Sequence, residues 1–139
     1  MKLFIADDSE VMRERIRELL LAVEGIELIG EAGDVQASIK GITDLKPDVA
    51  ILDIRMPGGS GLEVLQRLKE HPKAPLIIVL TNYPFPEYEE IAMKLGADYF
   101  FDKATEFDEV QRVLERILRE NGLKGSQAKD GKGFEEGLN

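Results

Sequence analysis

Three carboxylates, one hydroxyl and one ammonium stand just after short apolar runs at four separate places in the sequence. Asp7 and Asp8 follow Leu3–Ala6, Asp53 follows Val49–Leu52, Thr81 follows Leu76–Leu80, and Lys103 comes soon after Tyr99–Phe101. Carboxylates brought together repel one another unless a cation sits among them, and hard oxygen ligands suit Mg²⁺. Magnesium keeps positions open for water or phosphate, so such a cluster reads as a phosphoryl-handling site. A lysine can pair with one phosphoryl oxygen and a threonine hydroxyl can hydrogen-bond another. A carboxylate placed on the metal can act as a nucleophile and give an aspartyl phosphate. Taken singly, each residue has an ordinary explanation: Asp8 caps a helix, Asp53 starts a loop, Thr81 and Lys103 are solvated ends. Their convergence depends on whether one fold brings all five to the same rim.

The patterning supplies such a fold. Leu3–Ala6, Ile26–Gly30, Val49–Leu52, Leu76–Leu80 and Tyr99–Phe101 are short, apolar and rich in β-branched or aromatic residues, which predicts five strands. The central three carry almost no polar alternation, as expected of strands covered on both faces of a parallel sheet. Between them lie five helical patterns: Val11 to Val23 with Asp8 or Ser9 as N-cap, Ile39 to Leu45 stopping before Pro47, Leu62 to Leu68 stopping at His71-Pro72, Pro86 to Leu95 with Gly96 as C-terminal cap, and Val110 to Leu118 ending near Asn121-Gly122. Strand–helix alternation predicts an α/β, doubly wound parallel sheet with right-handed crossovers. In such sheets the working crevice lies beyond the C-terminal strand ends, near the point where the winding reverses. Every residue of the set lies there.

Composition narrows the function further. The 139 residues carry 27 acidic and 18 basic side chains, a formal charge of −9, which is a poor match for nucleic acid or an anionic bilayer. No direct nucleic-acid partner and no membrane association are expected. Without cysteine, disulfides, thiolate catalysis and Cys-ligated zinc are all out, and the single histidine, His71, excludes a His-cluster metal site. No apolar run approaches the roughly 20 residues that span a bilayer, and the acidic turn after Ala6 does not read as a signal peptide. A cytoplasmic location is expected. Residues 122–139, rich in glycine and charge, are expected to form a flexible C-terminal tail after a domain spanning 1–121.

In order and spacing, the motifs Asp7-Asp8-Ser9, Leu52-Asp53 through Met56-Pro57 with Gly61, Leu80-Thr81, and Phe101-Asp102-Lys103 resemble the receiver domain of two-component response regulators, over roughly Lys2 to Arg119. The similarity is to its small single-domain, chemotaxis-regulator-like members. It implies a flavodoxin-like (βα)5 sheet of strand order 2-1-3-4-5. It implies Asp53 as phosphoacceptor, Asp8 and Asp53 as direct Mg²⁺ ligands with the backbone carbonyl of Arg55, and Asp7 acting through water. Lys103 would contact the phosphoryl group, Thr81 would be the switch hydroxyl, and Phe100 would hold the aromatic switch position. Pro57 and Gly61 would shape the loop beside the acceptor. The phosphoryl donor would be a histidine kinase or phosphotransfer protein. No output domain follows in the sequence, so the expected function is a stand-alone regulator signalling by phosphorylation-dependent binding of a downstream protein. Such a regulator would be no enzyme beyond its own phosphorylation and dephosphorylation.

Some residues depart from the family pattern. Asn82 follows Thr81 where a smaller residue is usual, Phe100 lacks the hydroxyl of a tyrosine, and two prolines stiffen the loop from Asn82 to Pro86. The resemblance implies that the residues two beyond the acceptor and two beyond the switch threonine, here Arg55 and Tyr83, flank the approach of hydrolytic water; the two side chains would stack on each other and give slow dephosphorylation. His71 reads as a solvated helix stop rather than a phosphorelay histidine. The run from Glu87 to Glu90 reads as a solvated helix start, and Tyr99 and Phe107 as core or interface filler. The rival readings fare less well. An aspartate-nucleophile phosphatase needs Asp-x-Asp after the first strand, and an FMN carrier needs a Ser/Thr/Gly-rich loop where Asp-Asp-Ser-Glu stands. A receiver-like interaction module acting without phosphorylation has no need of all five site residues.

Overall fold

The computed structural model describes residues 1–128. In chain order the elements are β1 (Lys2–Ala6), α1 (Glu10–Leu21), β2 (Glu27–Ala32), α2 (Val35–Leu45), β3 (Val49–Leu52), β4 (Arg55–Met56), β5 (Gly59–Ser60), α3 (Gly61–Lys69), β6 (Leu76–Thr81), α4 (Pro86–Lys94), β7 (Tyr99–Asp102) and α5 (Glu109–Ala128). Five of the strands form one parallel sheet in the order β2-β1-β3-β6-β7. This is the expected 2-1-3-4-5 order of the five predicted strands. The two-residue strands β4 and β5 pair antiparallel in the loop after β3, a ribbon too short to show a period in the sequence.

Strand alternation divides the core into two layers. Phe4 and Ala6 of β1, Ala50 and Leu52 of β3, and Ile77 and Val79 of β6 face α2, α3 and α4. Their neighbours Leu3, Ile5, Val49, Ile51, Ile78 and Leu80 face α1 and α5. Both faces are buried, which is why these strands read as unbroken apolar runs. Close approach needs small residues: a Cβ on Gly41 of α2 would fall 2.7 Å from the Phe4 ring.

Local signals act largely as anticipated. Ser9 caps α1, its side chain accepting from the Met12 amide at 3.1 Å. Pro86 occupies the first turn of α4, and Gly96 just past its end takes φ +108, a left-handed conformation that costs glycine little. The end of α2 differs, because Lys46 itself adopts the left-handed cap (φ 52) before Pro47. The end of α5 also departs from expectation. Asn121-Gly122 does not stop the helix, which continues to Ala128. Once a helix is nucleated each further residue adds a hydrogen bond, so a glycine costing about 1 kcal/mol need not end it. The rest of the expected tail, 129–139, lies outside the described residues.

Candidate phosphoryl-acceptor site

Register carries three of the predicted residues to one rim. At the C-terminal ends of the strands, Ala6 is level with Ala32 and Leu52, and Thr81 with Asp102. The next residue of three strands continues the ladder by one rung. The Asp7 amide donates to Ala32 O at 2.9 Å, the Asp53 amide to Ala6 O at 2.9 Å, and the Lys103 amide to Thr81 O at 2.8 Å. The sheet therefore fixes each Cα before any side-chain contact is counted.

The side chains then meet in a largely dry pocket. Asp7, Asp53, Thr81 and Lys103 are buried, and Asp8 is exposed at its mouth. The Lys103 ammonium donates to Asp53 Oδ2 at 2.9 Å and lies 2.7 Å from Asp7 Oδ2. The other oxygens are tied down locally: Asp53 Oδ1 accepts from the Ile54 amide at 2.7 Å, and Asp7 Oδ1 from the Ser9 amide at 2.9 Å. Apart from its ion pair with the ammonium, the buried Asp7 Oδ2 has no other hydrogen-bond partner. Burial pushes the Asp53 carboxyl above its ordinary value, reinforced by Asp7 and opposed by Lys103. Burial alone would lower Lys103, but Asp7 and Asp53 together outweigh it and hold the ammonium above its ordinary value.

One oxygen from each of Asp7, Asp8 and Asp53 lies within 4.8 Å of the others. Three carboxylates against one lysine leave excess negative charge. A small, hard divalent cation is the group this donor set fits.

Thr81 is fully buried, and its Oγ1 accepts from the Tyr83 amide at 3.0 Å, which leaves the hydroxyl proton to donate. Phe100 packs, half-buried, against the α2–α3–α4 layer. Pro57 O accepts from the Val35 amide, tying the loop after β3 to the start of α2. Gly61 has a sharper reason: a Cβ there would lie 1.9 Å from Asp53 O, so only glycine lets α3 start so close to Asp53. The anticipated stack is present, with the Arg55 guanidinium 4.4 Å from the centre of the Tyr83 ring.

Sequence reasoning missed Arg13, whose guanidinium reaches the Asp7 carbonyl at 2.5 Å. A surface-spaced arginine on an amphipathic helix carries no signal of such a contact. Other features stay apart from the site. His71 is exposed at the opposite end of the sheet, lining a cavity of about 470 Å³ with Ile42, Lys46, Asp48 and Leu68. Among the described residues, no helix is long and apolar enough to cross a membrane.

Comparison with known proteins agrees with this geometry. The family described as the response regulator receiver domain matches residues 3–115. The chain is 33% identical over 118 residues to the uncharacterized transcriptional regulatory protein YvfU of Bacillus subtilis, covering 85% of this chain and 59% of that protein. It is 32% identical over 127 residues to the DNA-binding transcriptional activator DevR/DosR of Mycobacterium tuberculosis, covering 91% and 58%. Among solved structures, the isolated receiver domain of RcsB from Salmonella enterica serovar Typhimurium, with the phosphomimetic BeF3⁻, superposes with a TM-score of 0.79 at 28% identity, covering 86% of this chain and 88% of that one. The chain thus spans under three fifths of the length of these two curated relatives. The stand-alone reading gains no support from them, and neither does the expected lack of a nucleic-acid partner, since one relative is named for DNA binding. The chain belongs to the response regulator receiver domain family.

Proposed function

We propose that this chain accepts a phosphoryl group on Asp53 from the phosphohistidine of a histidine kinase or phosphotransfer protein, in a Mg²⁺-dependent reaction in the cytoplasm, and signals by changed protein contacts. The observation that carries this reading is the buried Lys103 ammonium held between Asp7 and Asp53, with Asp8 exposed beside them. Asp8, Asp53 and the Arg55 carbonyl would hold the ion, with Asp7 acting through water. When bound, Mg²⁺ would neutralise charge on the incoming phosphoryl oxygens.

The chain's own residues do the rest. Asp53 Oδ attacks phosphorus, the P–N bond to the donor imidazole breaks as the P–O bond forms, and the imidazole leaves with the electron pair and takes up a proton. Lys103, already pinned between two carboxylates, supplies a fixed cation for one phosphoryl oxygen, and the Thr81 proton is available to another. Because Thr81 Oγ1 also accepts from the Tyr83 amide, engaging its proton on a phosphoryl oxygen would couple the site to the loop before α4. Phe100 follows by repacking. The working unit is residues 1–121, which contain all of these groups.

The test is incubation of the purified protein with Mg²⁺ and acetyl phosphate, followed by intact-mass measurement. A single phosphoryl adduct is expected, dependent on Mg²⁺ and lost in Asp53→Ala. Absence of the adduct would favour an interaction module that acts without phosphorylation. Stoichiometric labelling of Asp53→Ala would overturn the choice of acceptor.

A further inference from the structure

Asp7 is held on three sides. Its amide donates to Ala32 O, its Oδ1 accepts from the Ser9 amide, and its carbonyl accepts from Arg13 Nη1 at 2.5 Å. Only Oδ2 is left for the pocket. The carbonyl contact matters beyond Asp7, because the orientation of that carbonyl is the orientation of the peptide plane joining Asp7 to Asp8. It therefore sets the direction in which the exposed Asp8 side chain leaves the backbone.

Arg13 is itself anchored. Its Nε donates to Glu31 Oε1 of β2 at 3.1 Å and its Nη2 pairs with Glu10 one turn earlier on α1. Its side chain is 17% exposed. Gly33, just past β2, makes room: a Cβ there would lie 3.2 Å from Arg13 Nη1 and 3.7 Å from Asp7 O. Arg17 shares both glutamates, bonding Glu31 at 2.6 Å and Glu10 at 3.1 Å, but makes no contact with the Asp7 carbonyl. The two arginines thus share one charge network and differ in one hydrogen bond.

We propose that Arg13 is a positioning residue for the cation site, orienting the Asp7–Asp8 peptide so that their carboxylates converge with Asp53. The proposal rests on the Mg²⁺ reading above. Groups that orient metal ligands without touching the metal typically change its affinity by roughly 10–100-fold when removed.

The experiment compares wild type, Arg13→Met, Arg13→Lys and Arg17→Met. Mg²⁺ affinity is measured by calorimetric titration, and exchange of the Asp8 and Ser9 amides is followed in metal-free protein, with urea midpoints as the fold control. Arg13→Met is expected to weaken Mg²⁺ about tenfold and speed exchange at Ser9, whose amide bonds Asp7. A lysine reaches either the Asp7 carbonyl or Glu31 but not both, so Arg13→Lys should fall between. Arg17→Met should leave Mg²⁺ affinity and both amides unchanged while losing a similar amount of stability. Equal effects of Arg13→Met and Arg17→Met, or none from either, overturn the proposal. If wild type itself binds no Mg²⁺, the metal reading falls, and unchanged amide exchange in both Arg13 variants would then overturn the positioning role on its own. If Arg13→Met does not fold, Arg13→Lys carries the same comparison.

Discussion

Replacing Lys103 by methionine isolates the electrostatic design of the site, because methionine keeps most of the side-chain volume and deletes only the charge. In wild type the ammonium is 4% exposed, 2.9 Å from Asp53 Oδ2 and 2.7 Å from Asp7 Oδ2. At an effective dielectric of about 20, each contact is worth several kcal/mol of attraction, most of it offset by the cost of burying the charges. Deleting the cation removes the attraction but leaves both carboxylates buried, each with one backbone amide as its remaining partner. Breaking a buried pair from one side costs about 3–5 kcal/mol, and the amides place this case near the lower end. With a urea slope of about 1.5 kcal/mol per molar, a loss of about 3 kcal/mol moves the midpoint down by about 2 M in chelator-containing buffer at pH 7. The loss should shrink on acidification. Asp53 has a folded-state value above its ordinary one, so its protonated form favours the fold, and that contribution disappears as the pH rises through the folded value. Removing Lys103 raises that value further, so the variant regains stability as the pH falls. Adding Asp53→Asn to Lys103→Met should restore about 1–3 kcal/mol, since it deletes one uncompensated charge. A single-variant loss below about 1 kcal/mol, or a double variant no better than the single one, would refute the claim that these three groups form one compensated cluster.

Other outcomes follow from the same geometry. Asp8→Ala, at the exposed mouth of the cluster, should leave the urea midpoint nearly unchanged while removing most Mg²⁺ binding; titration with the ion checks this. Tyr83→Ala should speed loss of the phosphoryl label after donor removal by severalfold, because the ring stacked on Arg55 narrows the approach of water; unchanged or slower decay would leave the ring without a kinetic role. Gly61→Ala should cost about 1–3 kcal/mol or more through overpacking against Asp53 O and should slow labelling as well, since the Asp53 backbone must move. Truncation after Asn121 should leave the labelling rate within error, because the core residues of α5, Val110 to Ile117, precede the cut.

How much was legible in the sequence differs from residue to residue. The inner strands β1, β3 and β6 announced themselves because both their faces are covered, while the edge strands β2 and β7 are only partly buried and β2 carries Glu27 and Glu31. Asp7, Asp8, Asp53, Thr81 and Lys103 could be found because a parallel sheet places every strand's C-terminal end on one rim, so a residue's place after its strand is already a statement about space. The Ser9 cap of α1 and Pro86 in the first turn of α4 are local chemistry, readable within a few residues. The β4–β5 ribbon and the run of α5 past Gly122 were not legible, since two-residue strands have no period and a helix end is settled by small differences in free energy.

What the sequence could not decide are the contacts between segments far apart in the chain. That Lys103 pairs with both Asp53 and Asp7 depends on strand register and on side-chain directions within a few tenths of an ångström. The requirement for glycine at 61 comes from Asp53 O, and the reach of Arg13 to the Asp7 carbonyl passes through space that Gly33 leaves open. Residue types and their order in the chain determine which groups reach the rim, because the covalent chain and the strand period act locally. Which atoms meet there, and which stay unpaired, is decided by packing across the sheet, where distance in space no longer follows distance in sequence.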